Sequence, residues 1–299
     1  MPSSKFLVVN SKNRRSNEKS SNFSVNFSDS LYIDRGVVQI SPIMVNFRND
    51  FYNVIAGWND QFYAQYAPLA ADPVFGEVVL VTITPGFYNY KTLFLHMMET
   101  LKAIPYFQLN ENDQMGADAS ILNGKLTLWA ELYAEVNKIE KLRISSHNES
   151  IRSLRLFQMF GGGKDSLPHE AGIKDYQYEF KGIPGGGKDK MDECKHMPAF
   201  NWNDICYINC NITEGSCIEQ QESKNACMGS LLAVVPINVP FACSQSVLYQ
   251  DYDANKITFN GSQNLSEIKI QLRTKFGTLQ GLPNDHISIL TLRIVNIDV

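Results

Sequence analysis

Apolar and polar residues alternate through NFSVNF, which puts Phe23, Val25 and Phe27 on one side of an extended chain. A period of two is the signature of a half-buried strand. VVQISPIMVNFRNDFYNVI continues the alternation, and its Pro42 marks a sheet edge or a bulge because proline donates no ladder hydrogen bond. EVVLVTITPGFYN predicts a β-branched strand that stops at Pro85-Gly86, a pair suited to the centre of a type II turn. The period then changes. From Lys91 to Ile104, the residues Leu93, Phe94, Met97, Met98, Leu101 and Ile104 recur at steps of three and four, with Asn89 as a start signal and Pro105 as a stop. This is the clearest helix in the chain, and its single apolar stripe predicts packing against a sheet.

Further on, SILNGKLTLW carries Asn123-Gly124 between alternating residues and predicts a β-hairpin. WAELYAEVNKIEKLRI fits both periods and is read as a strand, whereas SIRSLRLFQMF has helical steps at Ile151, Leu154 and Phe157 and ends on a triple glycine. LLAVVPINVP, SEIKIQLRT and HISILTLRIV supply three more strands. Roughly eight strands with turns at short intervals and one clear helix select an antiparallel, all-β architecture over any βαβ arrangement. The expectation is a single jelly-roll antiparallel β-sandwich with a probable insertion. It divides into a flexible N-terminal arm over 1–21, a first part over 22–160, the insertion over 161–228 and the last strands over 229–299.

Composition narrows the function classes. Of 299 residues, 44% are hydrophobic and 19% charged, which excludes a disordered chain, and a net charge of −4 offers no basic field for sequence-specific nucleic-acid binding. The most apolar run, SLLAVVPINVPFA, is broken by Pro236, Asn238 and Pro240, so no transmembrane segment is expected. No signal peptide is read at the start, which places the protein in a cytoplasm. The six cysteines, Cys194, Cys206, Cys210, Cys217, Cys227 and Cys243, lack the paired short spacings of a zinc site and are expected as free thiols without metal.

GIPGGGKD, residues 182–189, has the spacing of a phosphate-binding P-loop but ends in Asp189 where that loop needs a hydroxyl. It also follows an alternating segment rather than a buried strand. A second GGGKD at 161–165 makes both glycine runs hinges that flank an excursion of the chain. No nucleophile elbow and no metalloprotease motif occurs, so neither an enzyme nor a cofactor is expected.

The order of FLVVNSKNRRSNEKSSNFSVNF, VVQISPIMVNFRNDFYNVI and VTITPGFYNYKTLFLHMMETL resembles the minor capsid, or penton, proteins of virophages and Polinton-type viruses. LAVVPINVPFACSQSVLY and SEIKIQLRTKFGTLQGLPNDHISILTLRI are similar to the last strands of that family. These segments cover about two-thirds of the chain by motif order rather than by any single signature; the segment from about Gly161 to Met228 matches nothing in the family. The resemblance implies a structural subunit, five copies of which close an icosahedral vertex beside major capsid proteins. It places the chain in the virion capsid, assembled in a host cytoplasm. Candidate subunit contacts are Arg14 and Arg15 in the basic arm and the aromatics Trp58, Phe62, Tyr63 and Tyr66 in a polar setting. A second reading is a jelly-roll carbohydrate- or receptor-binding module, in which those aromatics would lie flat against solvent.

Overall fold

The computed structural model describes residues 4–33, 36–146, 150–162, 177–194, 196–200, 204–213, 231–239, 246–251, 255–259, 262–275 and 279–297. The chain opens with β1 (Ser4–Asn10), β2 (Asn22–Ile33) and β3 (Gly36–Arg48). There follow β4 (Gln61–Ala70), β5 (Val79–Thr82), helix α1 (Tyr90–Lys102), β6 (Gln114–Ala119), β7 (Leu126–Glu131), β8 (Ile139–Ser145), helix α2 (Ile151–Met159), β9 (Gln177–Lys181) and β10 (Asp189–Glu193). The chain closes with β11 (Ile205–Cys210), β12 (Leu231–Pro236), β13 (Ser246–Asp251), β14 (Asn255–Phe259), β15 (Gln263–Arg273) and β16 (Ser288–Ile297). Two compact units result: Met1–Phe51 with Asn203–Val299, and Tyr52–Trp202. They are called the outer and the inserted unit by their order in the chain. Among the described residues, no helix is long and apolar enough to cross a membrane.

The outer unit is the jelly roll. One of its sheets runs β1-β16-β3, with β13 and β14 lying one after the other along β3, and the other runs β12-β11-β15-β2. If β13 and β14 count as one interrupted strand, the unit has eight strands, and the first pairs with the last (β1 with β16), the second with the seventh (β2 with β15), the third with the sixth and the fourth with the fifth (β11 with β12). That nested pairing is a long antiparallel ribbon rolled up into two sheets, the jelly-roll topology. Alternation fills the space between them: Val9, Phe23, Ile40, Val45, Phe47, Cys206, Ile208, Ile268, Ile270, Leu272, Leu290 and Leu292 form one core drawn from both sheets.

The inserted unit enters the sequence between the third and fourth strands of the ribbon. It has a four-stranded sheet, β5-β4-β8-β9, and a three-stranded sheet, β10-β7-β6. Helix α1 packs on β6 and α2 on β4. The predicted helix forms where expected: the Asn89 side chain accepts from Lys91 N and Thr92 N in a capping box, and Leu93, Phe94, Met97, Met98 and Leu101 are buried. The predicted hairpin also forms, with Gly124 at φ +69, but across a six-residue connection, because the ladder ends at Ala119 and Leu126.

Several expectations are corrected. Residues 4–21 do not form a free arm: β1 pairs with β16 from Ser4 to Asn10, and Leu7 and Val9 point into the core while Ser11, Ser20 and Ser21 are buried. The described residues of the expected excursion over 161–228 divide between the two units. Phe180 of β9 is fully buried in the core of the inserted unit, and β11 is a central strand of the jelly roll. The long excursion is residues 52–202, so the first part of the sandwich does not run to 160. The second glycine run, Gly185 to Gly187, takes positive φ values and leads into strand β10, whereas a phosphate cradle opens a helix. Gly86 is absent from the left-handed region, so Pro85-Gly86 is no type II turn; Gly86 instead bridges Val54 through two backbone hydrogen bonds. Residues 163–176 and 214–230, with Cys217 and Cys227, and also Cys243, lie outside the described residues.

Candidate assembly surface

The sequence-predicted contact residues separate on folding. In β4, period-two alternation sends Phe62, Ala64 and Tyr66 inward and leaves Tyr63 half-buried on the other face. Trp58 joins the same core, and the Arg155 guanidinium stacks 4.8 Å from its ring. Gln61 and Gln65 belong to the outward half of β4, and Asn59 and Asp60 before it are themselves buried, so the polar residues here are not the rim of an exposed patch. Trp58, Phe62 and Tyr66 therefore offer almost no surface to a partner.

Arg14 and Arg15 do come together. With Lys12, Ser16, Asp285 and Ile287 they line an open depression of about 380 Å³ on the outer unit. Arg14 donates to the Ser11 carbonyl at 2.9 Å and to the Asn284 carbonyl, while Arg15 donates to Asn26 Oδ1 and Glu267 Oε2, both at 3.2 Å. Arg14 is thus fixed by two backbone carbonyls, with Asp285 lining the same depression, whereas Arg15 is an exposed ion pair of small energetic weight.

Other apolar groups stand clear of the surface, and the sequence reading missed them. On the outer face of one jelly-roll sheet, Phe6 and Val8 of edge strand β1 are 70% and 63% exposed, and Leu248 of β13 is 65% exposed. On the inserted unit, Ile121 and Leu122 at the tip of the β6–β7 hairpin are 102% and 96% exposed. FLVV and SILNG carried these residues in plain view, but whether an apolar residue in a short run faces the core depends on the strand's register.

A buried polar cluster resembles catalytic machinery and tests the enzyme reading. His286 Nδ1 lies 2.5 Å from Asp50 Oδ1, and His286 Nε2 lies 2.9 Å from Ser288 Oγ. A carboxylate on one ring nitrogen and a serine hydroxyl on the other is the arrangement of the relay that activates a nucleophile. Here Ser288 is 0% exposed and Phe47 and Phe51 flank the imidazole, with ring centroids 6.1 and 5.8 Å away. A substrate carbonyl cannot reach that hydroxyl. The Ser288 amide donates to Ser11 Oγ at 2.8 Å, so the cluster ties the residue after β1, Asp50 two residues past β3 and the first residue of β16 at one end of the roll. The triad geometry serves as a clamp.

Cys194, Cys206 and Cys210 are buried and form no disulfide among the described residues, and burial pushes the Cys206 thiol far above its ordinary range, keeping it protonated and unreactive. No protein-family model and no curated protein matches this sequence. Among solved structures, the chain is similar to the crystal structure of the mavirus penton protein, at 11% sequence identity and a TM-score of 0.47, over 99% of this chain and 100% of that one.

Proposed function

We propose that this chain is a structural capsid subunit, the penton that closes the fivefold vertices of an icosahedral virion. The observation that carries the reading is the rolled ribbon of the outer unit, a topology that recurs in capsid proteins; it draws on four of the five segments that resemble the virophage and Polinton-type penton family, and the fifth, VTITPGFYNYKTLFLHMMETL, lies in the inserted unit. Five copies meet side by side through a heterologous interface whose rotation closes, with major capsid proteins around them. The virion capsid, assembled in the host cytoplasm, is the site of action.

Edge strand β1, with Phe6 and Val8 exposed, and the depression at Arg14 and Arg15 supply contact surface of the kind such packing needs. The carbohydrate-binding alternative loses its main support, since three of its four aromatics are core residues. The test is co-expression with the major capsid protein followed by electron microscopy. Density for this chain at fivefold vertices is the expected result, and Phe6→Glu with Val8→Glu should reduce its incorporation. Density at threefold positions, or particles that lack the chain, would overturn the assignment.

A further inference from the structure

The turn that joins β6 to β7 shows two aliphatic side chains entirely to solvent. Turn positions favour Gly, Asn, Asp and Ser, and Ser120, Asn123 and Gly124 meet that preference. Ile121 and Leu122, at 102% and 96% exposure, do not, and folding buries essentially nothing of either side chain. Met197, 65% exposed, lies against the same turn: its Cε would stand 3.2 Å from a Cβ added to Gly124. The turn closes on itself. Ser120 N donates to the Lys125 carbonyl at 2.8 Å, Gly124 N to the Ser120 carbonyl at 2.9 Å and Lys125 N to Asn123 Oδ1 at 2.9 Å. Three of its amides are therefore bonded inside the turn, as entry into an apolar phase requires.

Area and charge decide what covers such a tip. A stable protein interface takes about 20–30 residues a side. Three side chains on a convex turn fall far short of that, but they suit insertion into a bilayer, where each buried apolar group counts by itself. Behind the tip, roughly 10 Å along β7 from Leu126, Trp129 lies over Gly116. Its Nε1 donates to Asp118 Oδ1 at 3.3 Å, and Lys188 Nζ stands 3.7 Å above its ring. An indole with a lysine beside it suits the headgroup layer. The flanking charges balance: residues 117–129 carry one lysine and one acid, and residues 188–197 carry three of each. The pull of the tip on a membrane is therefore apolar and not electrostatic.

We propose that the β6–β7 turn is a membrane-insertion tip: Ile121, Leu122 and Met197 enter the acyl boundary of a zwitterionic phospholipid bilayer, with Trp129 at the headgroups. The inference is independent of the capsid assignment.

Flotation of the full chain with phosphatidylcholine vesicles at millimolar lipid tests it. Wild type should co-float equally at low and high salt. Each aliphatic side chain withdrawn from the bilayer lowers partitioning roughly tenfold, so Ile121→Asp with Leu122→Asp should lower it about a hundredfold. Val136→Asp, at an exposed position beyond the other end of β7, should leave it unchanged. All three tryptophans, Trp58, Trp129 and Trp202, belong to residues 52–202, so an unchanged urea transition in tryptophan fluorescence shows that the variants fold. Wild type that stays off the vesicles, binding that survives the double substitution, or binding confined to anionic vesicles at low salt would overturn the proposal. So would a wild type that never floats while the double variant is lost from virus particles, which makes the tip a protein contact. Should the double variant fail to fold, bromine-labelled phosphatidylcholine decides: quenching of wild-type tryptophan fluorescence supports insertion, and its absence refutes it.

Discussion

The two units solve the same packing problem with different side chains. The core of the outer unit is aliphatic, with Phe23, Phe47 and Phe51 as its aromatics. The inserted unit gathers Trp58, Phe62, Tyr66, Phe94, Phe107, Phe157, Phe160 and Phe180 with Met97, Met98, Met115 and Met159. Two facing sheets keep a near-constant spacing of about 10 Å, and alternating Val, Ile and Leu fill it evenly. Helices laid against sheets leave gaps of unequal depth, which large flat rings and flexible thioethers fill better. Composition thus follows from the layers that meet. The regular unit carries the nested pairing, and the irregular one carries the helices and the glycine turn.

This contrast can be broken most severely by deleting Lys164 to Gly187. The deletion removes β9 and with it Phe180, so the inserted unit should lose its cooperative tryptophan-reported transition while far-UV circular dichroism still shows a β-type melt of the outer unit. A retained tryptophan transition would restore the excursion reading. Next in size are Phe62→Ala and Phe47→Ala, each expected to cost about 3–5 kcal/mol in its own unit. If either lowered both transitions equally in differential scanning calorimetry, the two cores would not be separate. His286→Ala should cost the outer unit about 1–3 kcal/mol, because Asp50 and Ser288 lose their shared partner in a buried site. Asn89→Ala, which removes the helix cap, should cost the inserted unit about 1 kcal/mol, read from the midpoint of urea unfolding.

Local periodicity was legible where it was strong. Helix α1 forms with Asn89 as its cap, and Phe23 of NFSVNF faces the core as the alternation required. What stayed hidden depends on partners far along the chain. Phe62, Ala64 and Tyr66 alternate as cleanly as any strand, yet the polar residues between them read as surface because nothing local tells which face is covered. Asp50 and His286 are 236 residues apart in the chain, and only the rolled ribbon brings them within 2.5 Å. The arm was misread because its basic residues outweighed FLVV; Lys12, Arg14, Arg15 and Lys19 sit between β1 and β2, and Lys5 alone of them lies in the strand.

Nesting one unit inside the other also sets an order of events during synthesis. β1, β2 and β3 leave the ribosome first, but their partners β16, β15, β13 and β14 all lie beyond Asn203, with Ser4 waiting for Val295. At about 5–20 residues per second, the roughly 150 residues between β3 and β11 occupy the ribosome for on the order of 10–30 s. Residues 52–202 are contiguous and can close their core in that interval, whereas the three early strands keep open edges that invite pairing with other nascent chains. The first strands made are the last to find their places, and the middle of the chain folds before either end.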